Sequence, residues 1–350
     1  MGPGRDRLFR SRVLISGEAW EEVLKTGARS LMRALSWRQL GALLFLPLLL
    51  IGCSGSIALA PFSNAPTATP RPTATATPAL RPTATPTPAP PPPVFPPPHL
   101  YAKAAILIDQ TNGQTMYELN SRAELPMAST TKLMTAIVAL QHASPDTVIT
   151  VGPAAVAMEN GVDSVMGLYL GDKLTLRDLL YGMLLPSGDD AATAIAVGLA
   201  GSPTRFVVWM NTEARALKLH ATHFVTVTGL DAPGHYTSAR DLARIAEYAM
   251  DYDLIAQIVG TSSYAIPATN AHHGYMLYNT NELLRAYPGA YGIKTGSTPA
   301  AGECLVFAVH AGNHDYLGVI LGAPSDWYRY YDARALLAWA AQVNSYHVPS

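Results

Sequence analysis

A chain of 350 residues that is 49% hydrophobic and only 14% charged carries enough apolar material for a large core, which excludes a chain disordered throughout. The net charge of -1 and a sequence pI near 6.8 leave no basic surplus to neutralise phosphates, so no nucleic acid is expected as a partner. Its two cysteines, Cys53 and Cys304, lie far apart in segments of different character, so neither a disulfide framework nor a zinc site is expected.

Residues 1–31 show no periodicity and stand as an extension of uncertain role; Met32 is a candidate for the true start. From Met32, Arg33 and Arg38 precede an apolar stretch from Leu40 to Ile51 that ends in small residues, the layout of a bacterial export signal. The closing Leu50-Ile51-Gly52-Cys53 resembles a lipobox, in which Cys53 carries a lipid and becomes the mature N-terminus; an uncleaved signal anchor is the alternative. Residues 32–53 are thus a lipoprotein-type signal or a membrane anchor. Residues 54–99 read as a disordered linker, because from Ala58 to about Pro98 proline and threonine dominate and apolar side chains are too few to pack. In extended polyproline II, at about 3.1 Å per residue, such a spacer reaches on the order of 100 Å. An anchor followed by a stiff spacer points to a protein held at the outer face of the cell membrane, with a target in the envelope away from the bilayer.

The segment 100–350 reads as one domain. It opens with "AAILIDQTNGQTMYELN", two apolar runs around Thr111-Asn112-Gly113, which predicts a β-hairpin. In "PMASTTKLMTAIVALQHA", Leu133, Met134, Ile137 and Val138 recur at helical spacing, and Ser129 and Lys132 sit at i and i+3 near the start of that helix. A lysine with a lowered pKa in a desolvated site can take the proton of a serine nucleophile, and free N–H groups at a helix start can hold an oxyanion. Alone, the pair is a weak signal, since it arises by chance in many helices and usually means a cap and a surface lysine. Further along, Ser187-Gly188-Asp189 falls in a loop between two helical segments. Lys294-Thr295-Gly296 falls in a strand followed by two more strand-like runs, "ECLVFAVHAG" and "HDYLGVILGA".

With S-x-x-K, an S-x-N-like triplet and K-T-G in that order, Tyr101 to Ala341 resembles the serine D-alanyl-D-alanine carboxypeptidases among the low-molecular-mass penicillin-binding proteins. The likeness extends through "LLYGMLLPSGDDAA", "TGLDAPGHYTSARDLA", "YPGAYGIKTG" and "AGECLVFAV". It implies an α+β fold of the β-lactamase/DD-peptidase type, with an antiparallel five-stranded sheet flanked by helices. The sheet carries the K-T-G strand, beside a helical lobe carrying Ser129. It also implies peptidoglycan stem peptides as substrate and β-lactam antibiotics as inhibitors.

By that resemblance Ser129 attacks the penultimate D-Ala carbonyl with Lys132 as base, and water releases the acyl-enzyme. Ser187 relays a proton to the leaving amine. The N–H groups of Ser129 and of Ser297, just past Gly296, form the oxyanion hole, and Lys294 and Thr295 bind the terminal carboxylate. Arg329 is either a further carboxylate-binding group or an ordinary helix-start arginine. The histidines show no ligand spacing, so neither a metal nor another cofactor is expected; Cys304 reads as a small core residue.

Two departures stand out. Thr228-Gly229-Leu230-Asp231 replaces the family's His-Gly-Leu-Asp, so no role of that histidine carries over. Asp189 stands where the family has Asn, and an ionised carboxylate beside Lys132 would favour the ammonium and only accept hydrogen bonds. Asp190 suits a cap or dipole partner of the next helix. A DD-endopeptidase of cross-links, or a penicillin-binding sensor without turnover, are the alternative readings. A β-lactamase is disfavoured for want of an assignable deacylating glutamate, although Glu159 lies in the intervening region.

Overall fold

The structure, a computed structural model, describes residues 95–159 and 164–346. The stretch read as an export signal, Cys53 and nearly all of the segment read as linker lie outside the described residues. In chain order the elements begin with β1 (Ala104–Asp109), β2 (Gln114–Leu119), a one-turn 3₁₀ helix (Ala128–Thr131) continuing into α1 (Lys132–His142), β3 (Val148–Thr150), α2 (Pro153–Val156) and β4 (Lys173–Thr175). There follow α3 (Leu176–Leu184), α4 (Asp189–Ala200), α5 (Pro203–Ala216), α6 (Ala239–Met250), α7 (Asp253–Val259), β5 (Ser263–Ile266) and β6 (Tyr275–Tyr278). Last come α8 (Leu283–Ala286), β7 (Ala290–Thr298), β8 (Gly302–Ala311), β9 (His314–Ala323) and α9 (Asp326–Tyr346).

Five strands form one antiparallel sheet in the order β2-β1-β9-β8-β7, as expected. The hairpin at its far edge turns at Gly113, whose φ of +74° suits glycine, and the Asp109 carboxylate accepts the Thr111 N–H at 3.0 Å. Strand β8 explains why the sequence there shows no polar alternation. Cys304, Val306 and Ala308 face the helical lobe, while Leu305, Phe307 and Val309 face the other way, towards Leu336 and Leu337 of α9. Both faces are covered, so both sets are apolar. On β9, Gly318 pairs with Phe307 and leaves room for its ring, which a Cβ would overlap.

On the lobe side, Leu133, Met134, Ile137 and Val138 of α1 are fully buried among α4, α5 and α6. At roughly 1.5–3 kcal/mol each, these side chains contribute about 6–12 kcal/mol against the entropy of ordering. That anchoring fixes the start of α1, and with it Ser129 and Lys132. The packed domain begins earlier than the expected boundary at Leu100. Trp339 Nε1 donates to the Phe95 carbonyl at 3.1 Å, and the Tyr117 hydroxyl donates to the Pro98 carbonyl at 3.3 Å. The last residues read as linker therefore lie against α9 and β2.

Candidate active site

Ser129 is half-buried in the 3₁₀ turn, and Lys132, one turn on, is fully buried. Lys132 Nζ lies 2.8 Å from Ser129 Oγ, 2.7 Å from the Thr228 carbonyl and 2.6 Å from Asp189 Oδ1. An ammonium has three N–H bonds, and these three acceptors match them. Ala128, just before the serine, holds a left-handed φ of +48°. A non-glycine residue there costs of order 1–3 kcal/mol and persists only where its surroundings over-determine it. Here the Thr131 hydroxyl donates to the Ala128 carbonyl at 2.8 Å, and Gly229, at φ +95°, packs so closely on that carbonyl that a Cβ would overlap it.

The Ser187-Gly188-Asp189 loop joins α3 to α4 as expected. Ser187 also has a left-handed backbone, φ +69°, and its hydroxyl is buried without a hydrogen bond among the described residues. Gly188 donates to the Gly182 carbonyl at 3.0 Å, and a Cβ on it would come within 2.7 Å of that oxygen. The tightness of this turn requires glycine. Asp189 N donates to the Ser164 carbonyl at 2.7 Å. Asp190 is more than the cap or dipole partner expected for it, since the N-cap position is Gly188. Its buried carboxylate accepts from the N–H groups of Met166, Gly167, Leu168 and Ala191 at 2.8–3.0 Å, tying the 166–168 strand of loop beside the site to the start of α4.

Strand β7 is one edge of the sheet, and Gly296 lets it press against the 3₁₀ turn that carries Ser129. A Cβ there would stand 2.9 Å from Ser129 N, 3.0 Å from Ala128 Cβ and 3.1 Å from Thr130 N. Lys294 is buried, with Nζ donating to the Thr295 carbonyl at 3.0 Å. Burial, then the neighbouring Lys132 ammonium and more weakly Arg329, draw its pKa well below the lysine range, while Asp189 opposes the shift. The Thr295 hydroxyl shares a hydrogen bond with that of Thr280 at 2.6 Å, and Ser297 is exposed with Oγ donating to Glu303 Oε1 at 2.7 Å.

Arg329 starts α9 as expected, but its guanidinium is occupied. Nη1 donates to Glu303 Oε2 at 2.6 Å and to the Gly296 carbonyl at 3.3 Å, and Nη2 pairs with Asp326. The structure thus brings Ser129, Lys132 and Asp189 into direct contact, sets Gly296 against them, and links Arg329 to the strand rather than leaving it open. Asp231 of Thr-Gly-Leu-Asp accepts from Thr298 Oγ1 at 2.6 Å and Ala300 N at 3.0 Å, which joins that loop to the end of β7. The side chain of Glu159 lies outside the described residues. Cys304 is buried and its thiol is pushed up to about 11, chiefly by burial, as befits a core residue. Among the described residues, no group of three His, Cys, Asp or Glu side chains is placed to hold a metal ion.

Sequence reasoning missed Thr228, which acts through its carbonyl, Thr280, and Glu303. Only Glu303 left a signal: Ser297 and Glu303 flank a short turn between two predicted strands, so a hairpin reading pairs them, as the register does.

A serine and a buried lysine on the helical lobe, facing the edge of a five-stranded antiparallel sheet, place the domain among the active-site-serine peptidases. Residues 92–325 match the family Peptidase_S11, D-alanyl-D-alanine carboxypeptidase, and the chain belongs to that family. It is 34% identical over 227 residues to the D-alanyl-D-alanine carboxypeptidase DacF of Bacillus subtilis, covering 63% of this chain and 57% of the relative. It is 36% identical over 258 residues to DacD of Escherichia coli, covering 70% and 64%. The chain thus spans less than two thirds of the length of these relatives. The solved structure of the Streptomyces K15 DD-transpeptidase matches with a TM-score of 0.65 at 36% identity, over 69% of this chain and 98% of that one. A D-alanyl-D-alanine carboxypeptidase structure from Mycobacterium tuberculosis gives a TM-score of 0.65 at 31% identity, over 71% and 93%.

Proposed function

We propose that the chain is a serine DD-carboxypeptidase that removes the terminal D-Ala from peptidoglycan stem pentapeptides. The observation that carries this reading is the fully buried Lys132, with Nζ at 2.8 Å from Ser129 Oγ, on a turn packed against Gly296 of the K-T-G edge. Ser129 Oγ gives its proton to the neutral Lys132 amine as it attacks the penultimate carbonyl, and N–H groups of the 3₁₀ turn and the β7 edge stabilise the oxyanion. The Ser187 hydroxyl, buried and without a protein partner among the described residues, passes a proton to the departing D-Ala amine and takes in exchange the one that Lys132 received from Ser129. Water then cleaves the ester. Lys294, aided by Thr295, receives the terminal carboxylate, whose charge favours protonation of that amine. The resting Lys132 must first shed a proton that Asp189 helps it keep, so acylation gains from rising pH until the cluster has lost it.

Full-length protein incubated with a pentapeptide monomer should release free D-Ala and be labelled by a penicillin at Ser129, with Ser129→Ala inactive in both assays. Cleavage of a cross-linked dimer without D-Ala from the monomer would replace this reading by a DD-endopeptidase. Labelling with no D-Ala from any stem peptide would replace it by a sensor. The K15 relative's description as a transpeptidase favours a second reading, in which an amine acceptor rather than water takes the acyl group. Added glycine would then divert the product from acid to peptide.

The apolar stretch from Leu40 to Ile51 behind Arg33 and Arg38, the lipobox-like Leu50-Ile51-Gly52-Cys53 and the Pro/Thr-rich segment after it support a place on the outer face of the cell membrane, held by a lipid on Cys53 or by an uncleaved anchor. Metabolic labelling with a fatty acid, compared between the wild-type chain and Cys53→Ser, tests the lipid.

A further inference from the structure

We propose that His235 is a positioning residue for the acyl transfer: its imidazole ties together the two backbone segments that place Ser129 and Lys132. This rests on the reading of Ser129 as the nucleophile. His235 is 5% exposed and lies in the loop that leads to α6. Its Nδ1 accepts the Val225 N–H at 3.0 Å, with the Thr226 N–H further off at 3.4 Å. Nδ1 therefore carries no proton, and Nε2 must carry it. From Nε2 that proton points to Thr131 Oγ1 at 2.9 Å, and Thr131 in turn donates to the Ala128 carbonyl at 2.8 Å. A relay of two hydrogen bonds thus ends on the strained residue just before Ser129.

The other nitrogen works on the base. Val225 and Thr226 open the loop that presents Thr228, and Thr226 Oγ1 accepts the Gly229 N–H at 3.0 Å. The Thr228 carbonyl then accepts a hydrogen bond from Lys132 Nζ at 2.7 Å. His223, beside this loop, bridges to Tyr236 by a pair of backbone bonds and closes it around the ring. Burial lowers the His235 pKa to about 4, with His223 adding to the shift and Asp231 opposing it. The ring is neutral around pH 7, as an accepting Nδ1 requires. With Thr228 in place of the family's histidine in the Thr-Gly-Leu-Asp stretch, the imidazole that organises this corner comes from seven residues later.

The full-length chain with His235→Asn keeps a near acceptor and loses the reach to Thr131, whereas His235→Gln keeps the far donor. Thr131→Val removes the relay hydroxyl and keeps its shape. The readouts are the rate of Ser129 acylation by a labelled penicillin, kcat and KM on a stem pentapeptide, and thermal unfolding. His235→Asn and Thr131→Val should each slow acylation and kcat about tenfold with KM little changed, the size of one misplaced hydrogen bond at the transition state. The double variant should be no slower than either, because both break one relay, and His235→Gln should recover most of the rate. Wild-type acylation rates in folded His235→Asn, multiplicative losses in the double variant, or equal losses in the Asn and Gln variants would overturn the assignment. If the His235 variants fail to fold, Thr131→Val against Thr131→Ser decides alone: a slow valine and a fast serine variant support it, and equal rates refute it. Failure of wild-type protein to be labelled at Ser129 would instead remove the underlying reading.

Discussion

Asp189 Oδ1 lies 2.6 Å from Lys132 Nζ, the nitrogen that also donates to Ser129 Oγ and to the Thr228 carbonyl. A buried carboxylate so close holds a proton on the amine proposed as the base. Asparagine accepts from the same nitrogen without the charge. Asp189→Asn should leave the domain folded and move the acid limb of the acylation profile to lower pH by about one unit or more, raising activity at the acid end. Penicillin acylation rates from pH 5 to 9 provide the measurement, and superimposable profiles would show that Asp189 does not bear on the chemistry.

Lys294 puts a pH dependence into stability as well as activity. Burial and the charge of Lys132 lower its folded-state pKa, so between that value and the ordinary lysine value of about 10.4 the unfolded chain binds more protons than the folded one. This group's contribution therefore makes stability rise with pH through that window; the penalty is full below the folded pKa and gone above the unfolded one. Lys294→Met should abolish D-Ala release and raise the Tm at pH 7, by about 2–4 °C for each kcal/mol relieved. The gain should shrink as the melts are repeated towards pH 10.5. A Tm that falls at pH 7 would mean that the Asp189 partner outweighs burial.

The sheet, the hairpin and α1 were legible because their side chains report burial directly: alternation or a continuous apolar run for strands, and Leu133, Met134, Ile137 and Val138 at helical spacing. The three motifs were legible because their chemistry resides in side chains a few residues apart. Contacts made through backbone were not. Thr228 touches Lys132 by its carbonyl, and nothing in a threonine announces that. Asp190 passed for a cap because a sequence cannot show that residues 166–168 return to its carboxylate. Arg329 was correctly placed at the start of α9, but its partners Glu303 and Asp326 come from β8 and its own helical turn. Whether it meets substrate depends on charges that local sequence does not bring together.

Gly296 offers a test of how tightly the sheet edge sets the nucleophile. An alanine Cβ would stand 2.9 Å from Ser129 N and 3.1 Å from Thr130 N, and both are backbone atoms that cannot swing away. Gly296→Ala must push β7 off the 3₁₀ turn, at a cost of about 1–3 kcal/mol. The same displacement opens the proposed oxyanion site, where losing one donor costs about 10²–10³ in rate. Acylation should therefore fall at least tenfold while far-UV circular dichroism stays unchanged. An unaltered rate would place the oxyanion donors elsewhere.

Glu303 decides what Arg329 can do for a substrate. The guanidinium meets Glu303 Oε2 at 2.6 Å and Asp326 beside it, so its charge is matched twice before any carboxylate arrives. Glu303→Gln removes one of those charges, keeps an oxygen for Arg329 while turning an amide N–H towards the Ser297 hydroxyl oxygen, and takes the Arg329-Glu303-Asp326 cluster beside the Gly296 carbonyl from a net charge of -1 to neutral. If Arg329 helps to bind the terminal carboxylate, this change should lower KM for the stem pentapeptide about threefold or more with kcat little altered, since the gained attraction acts on bound substrate and transition state alike. Stability should drop by about 1 kcal/mol for the lost ion pair, or 2–4 °C in Tm. A pentapeptide amide, which lacks the terminal charge, should show no fall in KM. If the free acid behaves like the amide, Arg329 serves to hold α9 on the sheet, and discrimination for the carboxylate belongs to Lys294 and Thr295.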